Sequence, residues 1–117
     1  MKTNTYKEDL EAKRWCRYVP QHERPVLGQL IKLAIKQGEV SIYDGEEYAI
    51  RRSTEYAAIK CQLGHSGEDV LEIHNGEDYL GMFYLIYNNG SHDDPMIVIC
   101  DYTDNAICND IYNALSN

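Results

Sequence analysis

Apolar residues recur along this chain with two different periods, and the change of period marks its elements. Leu27, Leu30, Ile31, Ala34 and Ile35 fall at i, i+3, i+4, i+7 and i+8, the stripe of an amphipathic helix. Pro25 suits its first turn and Gly38 its end. A weaker helical spacing of Leu10, Ala12, Trp15 and Cys16 predicts an earlier helix over residues 6–18, closed by Pro20. Trp15, the only tryptophan, is expected to cover the core.

After Gly38 the pattern becomes that of strands. Val40–Tyr43 and Glu47–Ile50 flank Asp44-Gly45, a strong signal for a two-residue hairpin turn. Ser53 is placed to cap a helix over Thr54–Leu63, with Tyr56, Ile59 and Leu63 facing inward and Gly64 as its stop. Val70–His74 predicts a third strand, Asn75-Gly76 a second tight turn, and Tyr79–Tyr87 the longest strand. Alternation puts Tyr79, Gly81, Phe83, Leu85 and Tyr87 of that strand on one face. The unbroken apolar run Met96–Cys100 predicts a strand central in the sheet. A last helix, capped by Thr103 or Asp104, carries the stripe Ile107, Cys108, Ile111, Tyr112 and Leu115. The expected fold class is α+β in the order α-α-β-β-α-β-β-β-α. It comprises a mostly antiparallel sheet of about five strands with about four helices, all in one domain over residues 1–117.

Composition adds a second signal. The chain has 117 residues and a net charge of -8. No apolar run approaches the roughly 20 residues that span a bilayer, so no membrane association is expected. The negative charge argues against direct contact with a nucleic-acid backbone, whose phosphates need surplus Lys and Arg. All 11 basic residues lie at or before Lys60, against nine acids there, which leaves that half at +2. From Cys61 onward there are ten acids and no Lys or Arg, a net of -10. Such a division serves solubility, and it also suits a surface that meets a basic partner, since a field of one sign speeds encounter and rejects wrong partners. Ten tyrosines against one Phe and one Trp point the same way. Tyrosine serves as a core rim, and it also supplies rigid contact area at interfaces. The residues expected to touch a partner are Glu68, Asp69, Glu77, Asp78, Asp93, Asp94 and Asp104, with Tyr79 or Tyr102 as aromatic anchors.

Candidate chemistry is sparse. Cys16, Cys61, Cys100 and Cys108 form no CxxC pair and each sits in an apolar segment, which predicts buried free thiols and a reducing, cytoplasmic setting. Cys61 and His65 have C-x3-H spacing, and His92-Asp93-Asp94 offers suitable donors, but neither makes a metal site alone. No Walker loop, GxGxxG, GxSxG or HExxH pattern occurs, so no cofactor and no enzymatic activity are expected. The acid pairs Glu68-Asp69, Glu77-Asp78 and Asp93-Asp94 flank turns, where carboxylates are solvated rather than tuned for proton transfer. Lys13, Arg14, Arg17 and Arg24 flank Trp15 as a local basic patch or a solvated helix surface.

Three stretches stand out together: Ile42-Tyr43-Asp44-Gly45-Glu46-Glu47-Tyr48, Arg51-Arg52-Ser53-Thr54-Glu55-Tyr56 and Asp101-Tyr102-Thr103-Asp104-Asn105. Over about residues 40–115 the pattern resembles small acidic proteins encoded by bacteriophages and mobile elements, a class that includes inhibitors of host defence, notably anti-CRISPR proteins. The resemblance implies a non-enzymatic inhibitor, acting in the cytoplasm of a bacterial host. It would occupy the basic nucleic-acid-binding surface of a CRISPR surveillance complex or another nuclease. It supplies no functional residues. The alternatives are a bacterial immunity protein that neutralises a basic toxin nuclease, a small enzyme or ligand-binding domain, and a structural or regulatory subunit.

Overall fold

The computed structural model describes residues 7–116. Five strands form one antiparallel sheet: β1 (Glu39–Tyr43), β2 (Tyr48–Ser53), β3 (Glu68–Asn75), β4 (Asp78–Ile86) and β5 (Ile99–Tyr102), in the spatial order β2-β1-β3-β4-β5. Four α-helices accompany it: α1 (Lys7–Glu11), α2 (Arg24–Gln37), α3 (Tyr56–Lys60) and α4 (Ala106–Leu115). The α+β class and the element order follow the sequence pattern.

Register gives the sheet one buried face. Val40 and Ile42 of β1 pair with Ile73 and Leu71 of β3, and Leu71 pairs with Phe83 of β4. All five side chains are fully buried, together with Leu27, Leu30, Ile31 and Ala34 of α2. The other face carries Tyr43, Tyr48, Glu72, His74, Met82 and Tyr84, all half-buried. Phe83 and Tyr87 face inward, as the alternation along β4 predicts.

Several expectations are corrected. Of the predicted helix over 6–18, Tyr6 lies outside the described residues, and the helix ends at Glu11. The cause is Asp9. Its buried carboxylate accepts from Arg14 Nε (2.9 Å), Arg17 N (3.1 Å) and Arg17 Nε (3.2 Å), which curls the following chain around it. The β1–β2 connection spans four residues, 44–47, because Asp44 Oδ1 accepts from the backbone N–H of both Glu46 and Glu47. The third helix covers only Tyr56–Lys60. Ser53 ends β2, and its hydroxyl accepts from Glu55 N.

The run Met96–Cys100 is not a central strand. Pro95–Val98 forms a 3-10 helix, and only Ile99 and Cys100 enter β5, which is an edge strand. Pro95 fixes a helical φ and offers no N–H to a ladder, and Val98 then packs into the core. Helix α4 is capped by Asn105, whose side chain accepts from Cys108 N (2.9 Å). Thr103 is diverted from that role, since its Oγ1 accepts from Met82 N (3.0 Å).

Candidate functional site

The strand order turns the charge division along the chain into a division in space. Arg51 and Arg52 lie on β2 at one edge of the sheet, while β3, β4, β5 and α4 contain no Lys or Arg. Each Lys or Arg that forms an ion pair with another described residue does so within the first sixty positions. The pairs are Lys7–Glu11, Lys13–Glu55, Arg14 and Arg17 with Glu8 and Asp9, and Arg52–Glu39.

The predicted contact residues do not gather on one face. Glu68 and Ile86 form the last pair at one end of the β3–β4 ladder, and Asn75 and Asp78 the last at the other. Eight strand residues separate the ends by roughly 24 Å. Asp93 and Asp94 follow β4 and belong to the Glu68 end. Asp101 pairs with Tyr84, and Asp104 follows β5 where Thr103 N donates to Met82 O. Asp93, Asp94, Asp101 and Asp104, all exposed, therefore line the β5 side. On the open face beside them the Glu68 carboxylate raises the pKa of the Tyr84 hydroxyl.

Glu77, Asp78 and exposed Tyr79 sit apart, at the β3–β4 turn. There the Arg52 guanidinium donates to Gly76 O (2.8 Å) and brings positive charge to that end. The Tyr79 ring packs edge-on against His74, with centroids 5.3 Å apart.

Two of the nine predicted contacts are structural. Asp69 is buried. Its Oδ2 accepts from Tyr87 Oη (2.6 Å) and Gly64 N (3.0 Å), which ties β3 to the chain after β4 and to the loop after α3. Burial and the adjacent Asp69 push the Tyr87 hydroxyl well above its ordinary pKa. Alternation along β3 carries the reason: Asp69 shares the inward face of Leu71 and Ile73. Tyr102 stacks between Phe83 (5.6 Å) and Tyr112 (4.7 Å) and braces α4 against the sheet.

Pattern reasoning missed Glu23. It is fully buried, yet it belongs to the basic half of the sequence. Its Oε1 accepts from Asn88 N (2.9 Å) and its Oε2 from Gly90 N (2.8 Å). Beside it His22 Nε2 lies 2.7 Å from Gly90 O, and the His22 ring contacts His92 at 4.5 Å. One carboxylate thus fixes the loop that presents Asp93 and Asp94.

Between that loop and α4 lies an open depression of about 300 Å³, with Met96, Ile97, Ile99 and Tyr112 among its walls and Asn89, Asp94 and Cys100 at its polar parts. Ile97 is 45% exposed. The β5 edge thus combines exposed carboxylates with an accessible apolar floor.

The cysteines are free. Cys16, Cys61 and Cys108 are buried, and burial raises each thiol pKa, which suppresses the reactive thiolate. Cys100 departs from expectation: it is exposed on β5. The C-x3-H pair is spent on backbone contacts. His65 Nε2 lies 2.6 Å from Cys61 O, while Cys61 Sγ donates to Ala58 O. Among the described residues no group of three or more His, Cys, Asp or Glu side chains converges as metal ligands. No helix among them is long and apolar enough to cross a membrane.

Comparison with family models, with curated proteins and with solved structures gives no match to this chain.

Proposed function

We propose that this protein is a non-enzymatic binding protein whose β5 edge docks on a basic partner protein. The contact zone comprises Asp93, Asp94, Asp101 and Asp104, flanked by Glu68 and Tyr84, with Ile97 and Met96 as the apolar floor. The observation that carries the reading is the position of the cations: the Lys and Arg ion pairs of the described residues all stay in the other half of the sequence. Exposed carboxylates without a cation partner accelerate encounter with a basic surface, and close pairs formed beside an apolar floor prolong the complex. Glu77, Asp78 and Tyr79 lie outside this zone, and Asp69 and Tyr102 support it from within.

The narrower proposal is an inhibitor of a host nucleic-acid-targeting complex, encoded by a phage and acting in the bacterial cytoplasm, as the resemblance to anti-CRISPR-type proteins implies. A partner that binds nucleic acid offers the required Lys- and Arg-lined surface. The test is capture from a bacterial lysate at low and high salt, with three baits. The wild type and an Glu77→Lys/Asp78→Lys control are expected to retain one basic nucleic-acid-binding protein that elutes as salt rises. An Asp93→Lys/Asp94→Lys/Asp101→Lys bait is expected to lose it. Equal capture by all three baits would refute the assignment of the β5 edge.

A further inference from the structure

A second surface, on the helical side of the sheet, has the opposite chemistry. Beside the start of α2 lies an open groove of about 470 Å³, lined by Trp15, Tyr56, Gln21, Gln29, Arg24 and Lys32 among others. Its size falls within the range of small-molecule sites. None of its lining residues is acidic, in a protein with 19 acids.

The cations there are held without counter-ions. Lys32 Nζ lies 5.3 Å and Lys60 Nζ 5.5 Å from the centroid of the Tyr56 ring, and Lys60 Nζ also lies 5.9 Å from the Trp15 ring. Neither lysine forms an ion pair with a described residue. Arg24 is fixed by donating Nε to Val19 O (3.0 Å) and Nη2 to Cys16 O (3.4 Å). Its planar fork has five N–H donors, so these two bonds leave donors for the groove. A bound anion would supply the opposite charge that neither lysine finds among the described residues.

The floor is built to hold this arrangement. Gly28 is buried within α2, and a Cβ there would stand 2.8 Å from Tyr56 Oη. Glycine weakens a helix interior, but here its bare Cα lets the Tyr56 hydroxyl lie against the helix. The groove therefore presents two aromatic rings, two side-chain amides and the cations Arg24 and Lys32, with Lys60 beside the rings. Rings stack with a planar heterocycle, amides pair with its edge, and ammonium and guanidinium groups bind phosphate.

We infer that this groove binds a nucleoside diphosphate, with its base against Trp15 and Tyr56 and its phosphates on Lys32 and Arg24, while Lys60 beside the rings adds positive charge. A free nucleotide fits better than a nucleic-acid strand, because the acidic body of the protein repels a polyanion.

Trp15 is the only tryptophan, so its fluorescence reports the site directly. Adenosine diphosphate should quench it saturably at low salt, with a Kd on the order of 100 μM. Pyrophosphate and adenosine, each carrying half the recognition, should bind at least about tenfold more weakly. A Lys32→Gln/Lys60→Gln variant should lose at least about tenfold in affinity at an unchanged melting temperature. The Asp93→Lys/Asp94→Lys/Asp101→Lys variant should bind the nucleotide like the wild type, which separates this site from the β5 edge. The inference is overturned by an absence of saturable quenching, by equal quenching in the lysine variant, or by pyrophosphate matching the nucleotide. Tighter binding of a ten-nucleotide single-stranded oligonucleotide than of adenosine diphosphate would overturn the choice of a free nucleotide.

Discussion

Replacing Glu23 with Gln tests how the acidic loop is held. In the wild type both carboxylate oxygens are occupied, one by Asn88 N and one by Gly90 N. Glutamine keeps one acceptor and turns an NH2 group toward the other N–H. One charge-assisted hydrogen bond is lost, about 1.5–3 kcal/mol, and a buried N–H is left without its partner, about 1–3 kcal/mol. Removing a buried charge returns part of this, because the carboxylate no longer has to be desolvated. The net expectation is a loss of about 2–3 kcal/mol, a substantial share of the 5–15 kcal/mol typical of such domains. With a urea slope of about 1.5 kcal/mol/M, the unfolding midpoint should fall by roughly 1.5 M. Amide hydrogen exchange should show lost protection at Asn88 and Gly90 beyond the global change. A shift below about 0.5 kcal/mol with unchanged protection at both amides would refute the carboxylate as the anchor of the loop.

Three further outcomes follow from the same contacts. Tyr87→Phe removes the donor to buried Asp69 and should cost about 1–3 kcal/mol in urea unfolding, with a neutral result contradicting the bond. Arg14 above all holds Asp9 down from 3.8 to about 2. A depressed carboxyl pKa contributes stability that is complete above the unfolded value and is lost as pH falls toward the folded one. The melting temperature of the wild type should therefore drop between about pH 4 and pH 2, and Asp9→Asn should lack that part of the decline. Gly81→Ala should cost more than about 2 kcal/mol in the same urea assay, because alanine would have to adopt φ +140° with its Cβ 2.5 Å from Cys108 Sγ.

Local rules made much of the fold legible. The stripe of α2, the alternation along β4 and the inward Phe83 all follow from periodicity. Segments whose shape depends on a distant polar group were not legible in that way. Asp9 curls the chain that helical spacing would extend, and Thr103 leaves the capping of α4 to Asn105 because Met82 N claims its hydroxyl. Composition likewise shows how many carboxylates lack a cation, but not which way each points. Asp69 and Glu68 are neighbours with opposite fates, and the register of β3 decides between them. Glu23 gave no signal, since a buried carboxylate serving backbone amides 65 and 67 residues away has no sequence pattern.

The most direct test of the docking role is the association rate with the captured partner, followed as ionic strength rises from about 25 to 500 mM. Electrostatic steering by Asp93, Asp94 and Asp101 predicts a wild-type rate that falls at least about tenfold over this range. For the triple lysine variant it predicts a low rate that salt does not reduce. The same steep decline in both proteins would mean that the partner is drawn to some other part of the molecule.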